Sequence, residues 1–327
     1  MRSKMNSLVA FIVVATAGLI IASGTLSAVE PWPTRTVKFI VTLGAGSGSD
    51  IGARLLADRL SPRWGQPVIV ENRPGGDALV AINAFVGAHD KHVLLYAPSG
   101  SFTSHPYLHD NLPYKPDDLL PITRVSNTVI VVAVPMELHI ETLAQLAQAA
   151  RQKPGALNWV GVTGTNDFIF EGWLKREGLT MTKVPYRNPV DGAKDLGENR
   201  VQVYLTALTI VRPQIDAGKV KVLAVTNSVR APTEPALPTA KEAGYPGLQL
   251  DGLVGLFGPS GMSLELRQKI TADIRAVADS DPTIKERLNQ TGQIPNIGGP
   301  EEFAKSIDEQ RSTIAAVASE LGLKPLP

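Results

Sequence analysis

Gly44-Ala45-Gly46-Ser47-Gly48-Ser49-Asp50 joins an apolar run to a helical pattern, and its residue types suit anion binding better than catalysis. Glycines let a backbone approach a ligand closely, and the first amides of a helix have no intrahelical acceptor. Aligned peptide dipoles add partial positive charge, so such a turn holds an anion without arginine or lysine. The plain alternative is a tight βα turn with Asp50 as a helix cap. Gly161-Val162-Thr163-Gly164-Thr165-Asn166-Asp167 repeats the arrangement in the second half of the chain. Two such loops facing each other across a cleft would clamp one carboxylate between two helix N-termini. Neither nucleotide motif fits the first loop. A P-loop needs Gly-Lys-Ser/Thr where Gly48-Ser49-Asp50 stands, and the dinucleotide fingerprint needs a third glycine where Ser49 or Asp50 sits, although Glu71 imitates its ribose-binding acid.

Catalytic groupings are poor. The five histidines, His89, His92, His105, His109 and His139, are scattered. His105 and His109 are four apart, but Pro106 between them argues for a loop, and each histidine reads as surface or capping rather than as a metal ligand. No Gly-x-Ser-x-Gly elbow occurs. Asp117-Asp118 and Glu301-Glu302 precede apolar helical segments, where helix-start charges explain them. Zero cysteines exclude thiol catalysis, disulfides and cysteine-held metals. Of Trp159, Phe168, Phe170 and Trp173, all read as core except Phe168, which falls in a first helical turn and could face a ligand. No enzyme, metal or cofactor is expected.

The elements that position these loops alternate along the chain. Arg2 and Lys4, the apolar run from Leu8 to Ala22 and the small residues to Ala28 make residues 1–28 a secretory signal peptide. The run is shorter than the roughly 20 residues of a bilayer span, and no cysteine follows it for lipid attachment, so the protein is expected free in the periplasm. The formal charge of +1 and the lack of basic runs exclude nucleic acid and membrane surfaces as partners. The chain has 327 residues, more than a comfortable single core. Val37–Leu43, Pro67–Glu71 and His92–Ala97 read as strands separated by helices at Ile51–Leu60 and Leu79–Val86. The pattern restarts at Val129–Val134 and runs through helices and strands to Val220–Thr226, before the apolar segment Leu248–Phe257 and two closing helices, near Leu264–Ala278 and Pro300–Leu321. Alternation of this kind implies two α/β lobes, each a doubly wound sheet, with the ligand cleft between them. The expected division is 29–128 with 253–327 in the first lobe and 129–252 in the second.

Trp32-Pro33, the Gly46–Asp50 loop, Gly65-Gln66-Pro67-Val68, Asn72-Arg73-Pro74-Gly75, Leu112-Pro113-Tyr114, Val184-Pro185-Tyr186 and Glu242-Ala243-Gly244 occur in an order that closely resembles the Bug/TctC family. These are the solute receptors of tripartite tricarboxylate transport systems, and the resemblance covers essentially the whole chain after the signal. It implies a two-lobed periplasmic-binding-protein fold, a small carboxylate ligand, membrane permease subunits as partners, and a monomer without cofactor. The family's first loop is matched by Gly46, Gly48, Ser49 and Asp50, with Ser47 replacing its middle glycine. Gly164 and Thr165 match the end of the second loop, while Phe168 takes a histidine position and Thr206 stands near a usual aspartate. Asp77, Ala78 and Leu79 replace further glycines and an asparagine after the Asn-Arg-Pro-Gly turn. The implied ligand set is Ala45, Gly46, Ser47, Gly48, Ser49, Ser99, Ser101, Thr163, Gly164, Thr165, Asn166, Phe168 and Thr206. Its altered end favours a mono- or dicarboxylate with a hydrocarbon or aromatic middle over amino acids and citrate. A periplasmic enzyme using the same anion loops, or a ligand-sensing subunit for a kinase, remain the other readings of the same residues.

Overall fold

A computed structural model describes residues 31–162 and 164–326. The signal segment 1–28 and Thr163 lie outside them. Among the described residues no helix is long and apolar enough to cross a membrane.

The first lobe starts with β1 (Val37–Val41), α1 (Gly48–Trp64), β2 (Val68–Asn72), α2 (Leu79–Ala88), β3 (Val93–Pro98) and the short α3 (Gly100–Ser104). β1 pairs in parallel with both β2 and β3, an arrangement that needs the helical crossovers α1 and α2. Successive residues of β1 feed opposite cores. Phe39 and Val41 pack with Leu56 and Leu60 of α1, while Ile40 packs with Ile82 and Phe85 of α2. A strand covered on both faces is therefore apolar at nearly every position, which explains its unbroken hydrophobic run.

After β4 (Leu120–Thr128) the chain leaves this sheet. β5 (Ile130–Pro135), α4 (Leu143–Gln152), β6 (Asn158–Gly161), α5 (Thr165–Glu177), β7 (Thr182–Pro185), α6 (Pro189–Gly197), β8 (Tyr204–Ala207), α7 (Leu208–Asp216) and β9 (Val220–Val225) build the second lobe. Its strand order is β8-β5-β9, with the parallel pair β6-β7 joined through a bridge between Trp159 and Val203. β5 repeats the two-sided logic: Ile130, Val132 and Val134 face α4 and α5, and Val131 and Ala133 face α6 and α7.

β10 (Gly252–Gly258) returns to the first sheet, inserted antiparallel between β3 and β4. The chain closes with α8 (Leu264–Ser280), α9 (Pro282–Gln290), β11 (Gln293–Gly298) and α10 (Pro300–Leu321). The first sheet thus runs β11-β4-β10-β3-β1-β2. β4 and β11 carry no hydrophobic signature, and the sequence reading assigned neither. Polar groups pair between the two strands: Ser126 Oγ donates to Gln293 Oε1 at 2.8 Å, and Thr123 Oγ1 donates to the Gly298 carbonyl at 2.9 Å. α10, placed with the first lobe on sequence, touches both. Phe303 and Ile307 join the first-lobe core, whereas Ile314, Val317 and Ala318 join the core built around α5.

Candidate functional site

A cavity of about 300 Å³ opens between the lobes where the chain crosses from one sheet to the other. Its first-lobe wall is Leu43, Asp77, Pro98, Gly100 and Ser101; the crossings contribute Thr128, Ile130, Leu250, Asp251 and Gly252. The second lobe supplies Val162, residues 164–167, Pro189, Tyr204–Ala207 and Ile210, and Gln310 of α10 completes the floor. No lysine, arginine or histidine stands in this wall among the described residues. A second cavity of about 320 Å³ backs onto the same crossing and shares Leu250, Asp251 and Gln310. Its arginine, Arg124, already donates to the Asn296 carbonyl, Asn296 Oδ1 and Ser306 Oγ, and among the described residues no helix start lines it.

The start of α5 is the best-formed part of the site. Gly164 has φ 144° and ψ −171°, a conformation essentially restricted to glycine. It turns the chain so that the amides of Thr165 and Asn166 stand in the first turn, where no carbonyl lies below them. Thr165 Oγ1 donates to the Gly100 carbonyl of the first lobe, and the Asn166 amide group reaches the Leu205 carbonyl at 3.4 Å. A Cβ on Gly100 would sit 3.1 Å from Thr165 Oγ1, so the absence of a side chain permits this approach between lobes.

Asp167 ties the loop together. Its Oδ1 accepts the Val162 amide at 3.0 Å, and Oδ2 lies 2.7 Å from Lys183 Nζ. Burial pushes this carboxyl from 3.8 up to about 6, against the pull of Lys183 and the Val162 amide. An acid raised in the folded state makes folding less favourable as pH climbs through 3.8 to about 6, by about 3 kcal/mol once both states are ionised. Asp167→Asn keeps an acceptor for Val162 and removes the titration. The melting temperature of wild type, relative to this variant, is expected to fall between pH 4 and pH 7; parallel pH profiles would refute the assignment.

The first loop is built by the same device but is placed differently. Ser47 Oγ accepts the Asp50 amide at 3.2 Å, and Asp50 Oδ2 accepts the Gly46 amide at 2.9 Å. Burial alone would raise Asp50, but Arg54, the Gly46 amide and Asn72 together hold it below the ordinary carboxylate range. A Cβ on Gly48 would lie 2.6 Å from Gln293 Nε2, so β11 seats the helix start from behind. Leu43 reaches the cavity, whereas Ala45, Gly46, Ser47, Gly48 and Ser49 stand outside its described wall.

The structure therefore brings Ser101, Gly164, Thr165, Asn166 and Thr206 together around one space. Ser99 is fully buried and donates to Gln310 Oε1 at 2.7 Å, which gives it a packing role at α10. Phe168 points into the second-lobe core, 4% exposed, with its ring 5.9 Å from Tyr107; α5 turns the side chain away from the cavity. The apolar surface comes instead from Leu43, Ile130, Val162, Leu205, Ile210 and Leu250. Sequence reasoning missed Asp77, Asp251 and Gln310, because no local pattern marks residues that meet only through the crossing.

His105 departs from the surface or capping position expected of it. His105 is wholly buried rather than superficial, and the His109 amide donates to the His105 carbonyl at 3.0 Å, so a helical turn continues past Pro106. Both imidazoles converge on Asp77. Proline breaks a helix from within but is accepted in its own first turn, and Pro106 occupies that position in the 3₁₀ turn His105–Tyr107.

A family model described as "Tripartite tricarboxylate transporter family receptor" matches residues 52–323. Among solved structures, the periplasmic binding protein BugD is 26% identical, with a TM-score of 0.74 over 90% of this chain and 99% of its own. Rpa4515 from R. palustris, solved with adipate, is 26% identical, with a TM-score of 0.77 over 90% of this chain and 100% of its own. MatC from Rhodopseudomonas palustris, solved with bound malate, is 25% identical, with a TM-score of 0.73 over 87% and 99%.

Proposed function

Since the chain belongs to the tripartite tricarboxylate transporter receptor family, a family of solute-binding receptors and not of enzymes, we propose that it captures a small mono- or dicarboxylate with a hydrocarbon or aromatic middle. The observation that carries this reading is the cavity wall, in which a glycine-defined helix start faces mostly apolar surface without a basic side chain. The helix dipole and the first-turn amides would take the carboxylate, with Ser101 and Thr206 as neutral donors beside it. The apolar side chains would cover the ligand body, contributing about 25 cal/mol for each Å² removed from water. The adipate held by Rpa4515 has such a body, and the malate held by MatC shares only the two carboxylates.

The aspartates in the wall argue against a ligand ammonium, because each is already engaged. Asp77 meets His109, Asp167 meets Lys183, and Asp251 accepts the Ser228 amide at 3.1 Å. The lobes would divide as 29–128 with 253–327 against 129–252, with α10 resting on both cores as a strap. After export and removal of residues 1–28, a monomer would deliver the ligand to permease subunits.

Calorimetric titration with adipate, terephthalate, malate, citrate, glutamate and aspartate tests the selectivity. Adipate or terephthalate is expected to bind at least about tenfold tighter than the amino acids and citrate, a difference of about 1.4 kcal/mol. Tightest binding to aspartate, glutamate or citrate would overturn the apolar-body reading while leaving a carboxylate receptor.

A further inference from the structure

Asp77, His105 and His109 form a compact group at the first-lobe side of the cavity, and nothing in the carboxylate clamp uses the imidazoles. One ligand atom from each lies within 4.8 Å of the others. His109 Nε2 is 3.0 Å and His105 Nε2 is 3.5 Å from the same oxygen, Asp77 Oδ2. A tetrahedral ion with bonds of about 2.0–2.1 Å sets its ligand atoms about 3.3 Å apart. The two edges to Asp77 Oδ2 lie close to that span, and the edge between the imidazoles is within 4.8 Å. We propose that Asp77, His105 and His109 bind a divalent transition-metal ion of the zinc class at the edge of the ligand cavity.

The surroundings supply what such a site needs. His105 Nδ1 lies 2.7 Å from Tyr114 Oη. With a metal on Nε2 the ring proton sits on Nδ1 and the phenol accepts it, which is how metal-bound imidazoles are commonly oriented. Without metal, Nε2–H donates to the Asp77 carbonyl at 2.8 Å and the phenol donates to Nδ1, so loading reverses one hydrogen bond and replaces another. The continued helical turn puts the two rings perpendicular, with centroids 5.0 Å apart, and aims both at Asp77. Asp77 and Ala78 adopt φ of 51° and 69°, a left-handed backbone that non-glycine residues rarely take, and this bend brings the carboxylate onto the imidazoles. Two imidazoles and one carboxylate suit zinc, and three protein ligands leave a fourth position open. His109 is 27% exposed and offers the way in, while His105 is closed to solvent.

Asp77 also lines the cavity. A dication there would replace negative charge near a bound carboxylate by positive charge. That coupling rests on the proposed function; the metal site does not.

The test uses tag-free protein dialysed against EDTA, titrated with zinc by calorimetry, with bound metal counted by elemental analysis. One zinc per chain is expected, with affinity lowered about 100-fold or more in His109→Ala and in Asp77→Asn. Melting curves without zinc show whether each variant is folded, and His109→Gln replaces His109→Ala if that variant is not. Substoichiometric zinc in the wild type, or undiminished affinity in folded variants, overturns the site. Adipate titration in EDTA reports separately on the clamp: carboxylate binding without zinc binding removes only the metal site, and zinc binding without any carboxylate binding removes only the proposed function.

Discussion

A Gly164→Val variant is expected to remain folded and to bind its carboxylate about 10- to 100-fold more weakly than wild type. Space is not the obstacle, since a Cβ at this position would meet only the Val162 carbonyl, 4.0 Å away. The obstacle is the backbone. A branched side chain at φ 144° costs on the order of 1–3 kcal/mol, and the loop escapes that cost by rotating out of this conformation. Rotation carries the Thr165 and Asn166 amides away from the cavity and breaks the Thr165 hydrogen bond to Gly100. A loss of that size corresponds to the stated fall in affinity. Because the new side chain has room at this position and no core packing is removed, the melting temperature should drop only a few degrees. Calorimetry with the best carboxylate of the screen decides the matter. Unchanged affinity would take the α5 loop out of the site, and the other loop, Ala45–Ser49, would then have to carry the anion alone.

Trp173→Ala is expected to destabilise the protein by about 3–5 kcal/mol, the range for truncating a buried tryptophan. Trp173 is 1% exposed and anchors the second-lobe core, with its ring 5.3 Å from Phe170 and 5.9 Å from Tyr245. Beside it, Gly172 is pressed against Val317 of α10, so the same stretch of α5 holds both the sheet and the strap. The cavity left by the indole cannot be refilled without moving one of these partners. Trp173 stands about two helical turns from the anion loop, and loosening it would also free the α5 start. Melting should fall by roughly 10 °C, with Trp173→Phe recovering more than half of the loss. A Trp173→Ala protein that melts with wild type would mean that α5 is held mainly by its hydrogen bonds, and the packing account would fail.

How much was legible followed from how local each signal is. Strands buried on both faces, such as β1 and β5, announced themselves as apolar runs, and the helices between them by their periodicity. β4 and β11 gave no such signal. They are stabilised by paired polar groups, as Ser126 with Gln293 shows, and neither partner means anything without the other. α9 is short and polar and escaped for a related reason: only Ile284 and Leu288 are buried along it.

At the site, the chain alone determined the Gly-rich helix starts, the alternating α/β order and the family resemblance, because each depends on residues adjacent in sequence. Gly164 could be singled out because the residue type itself encodes an unusual backbone. Tertiary structure alone decided which of the named side chains face the cavity. Phe168 and Asn166 are two residues apart on one helix, yet their directions diverge by about half a turn, so one enters the core and the other the cleft. It alone brought Asp77 to His105 and His109 across 28 and 32 residues of chain. And it alone set Gln310 beneath the cavity, since a helix that straddles two cores places its middle residue where the lobes meet, a position that no local pattern records.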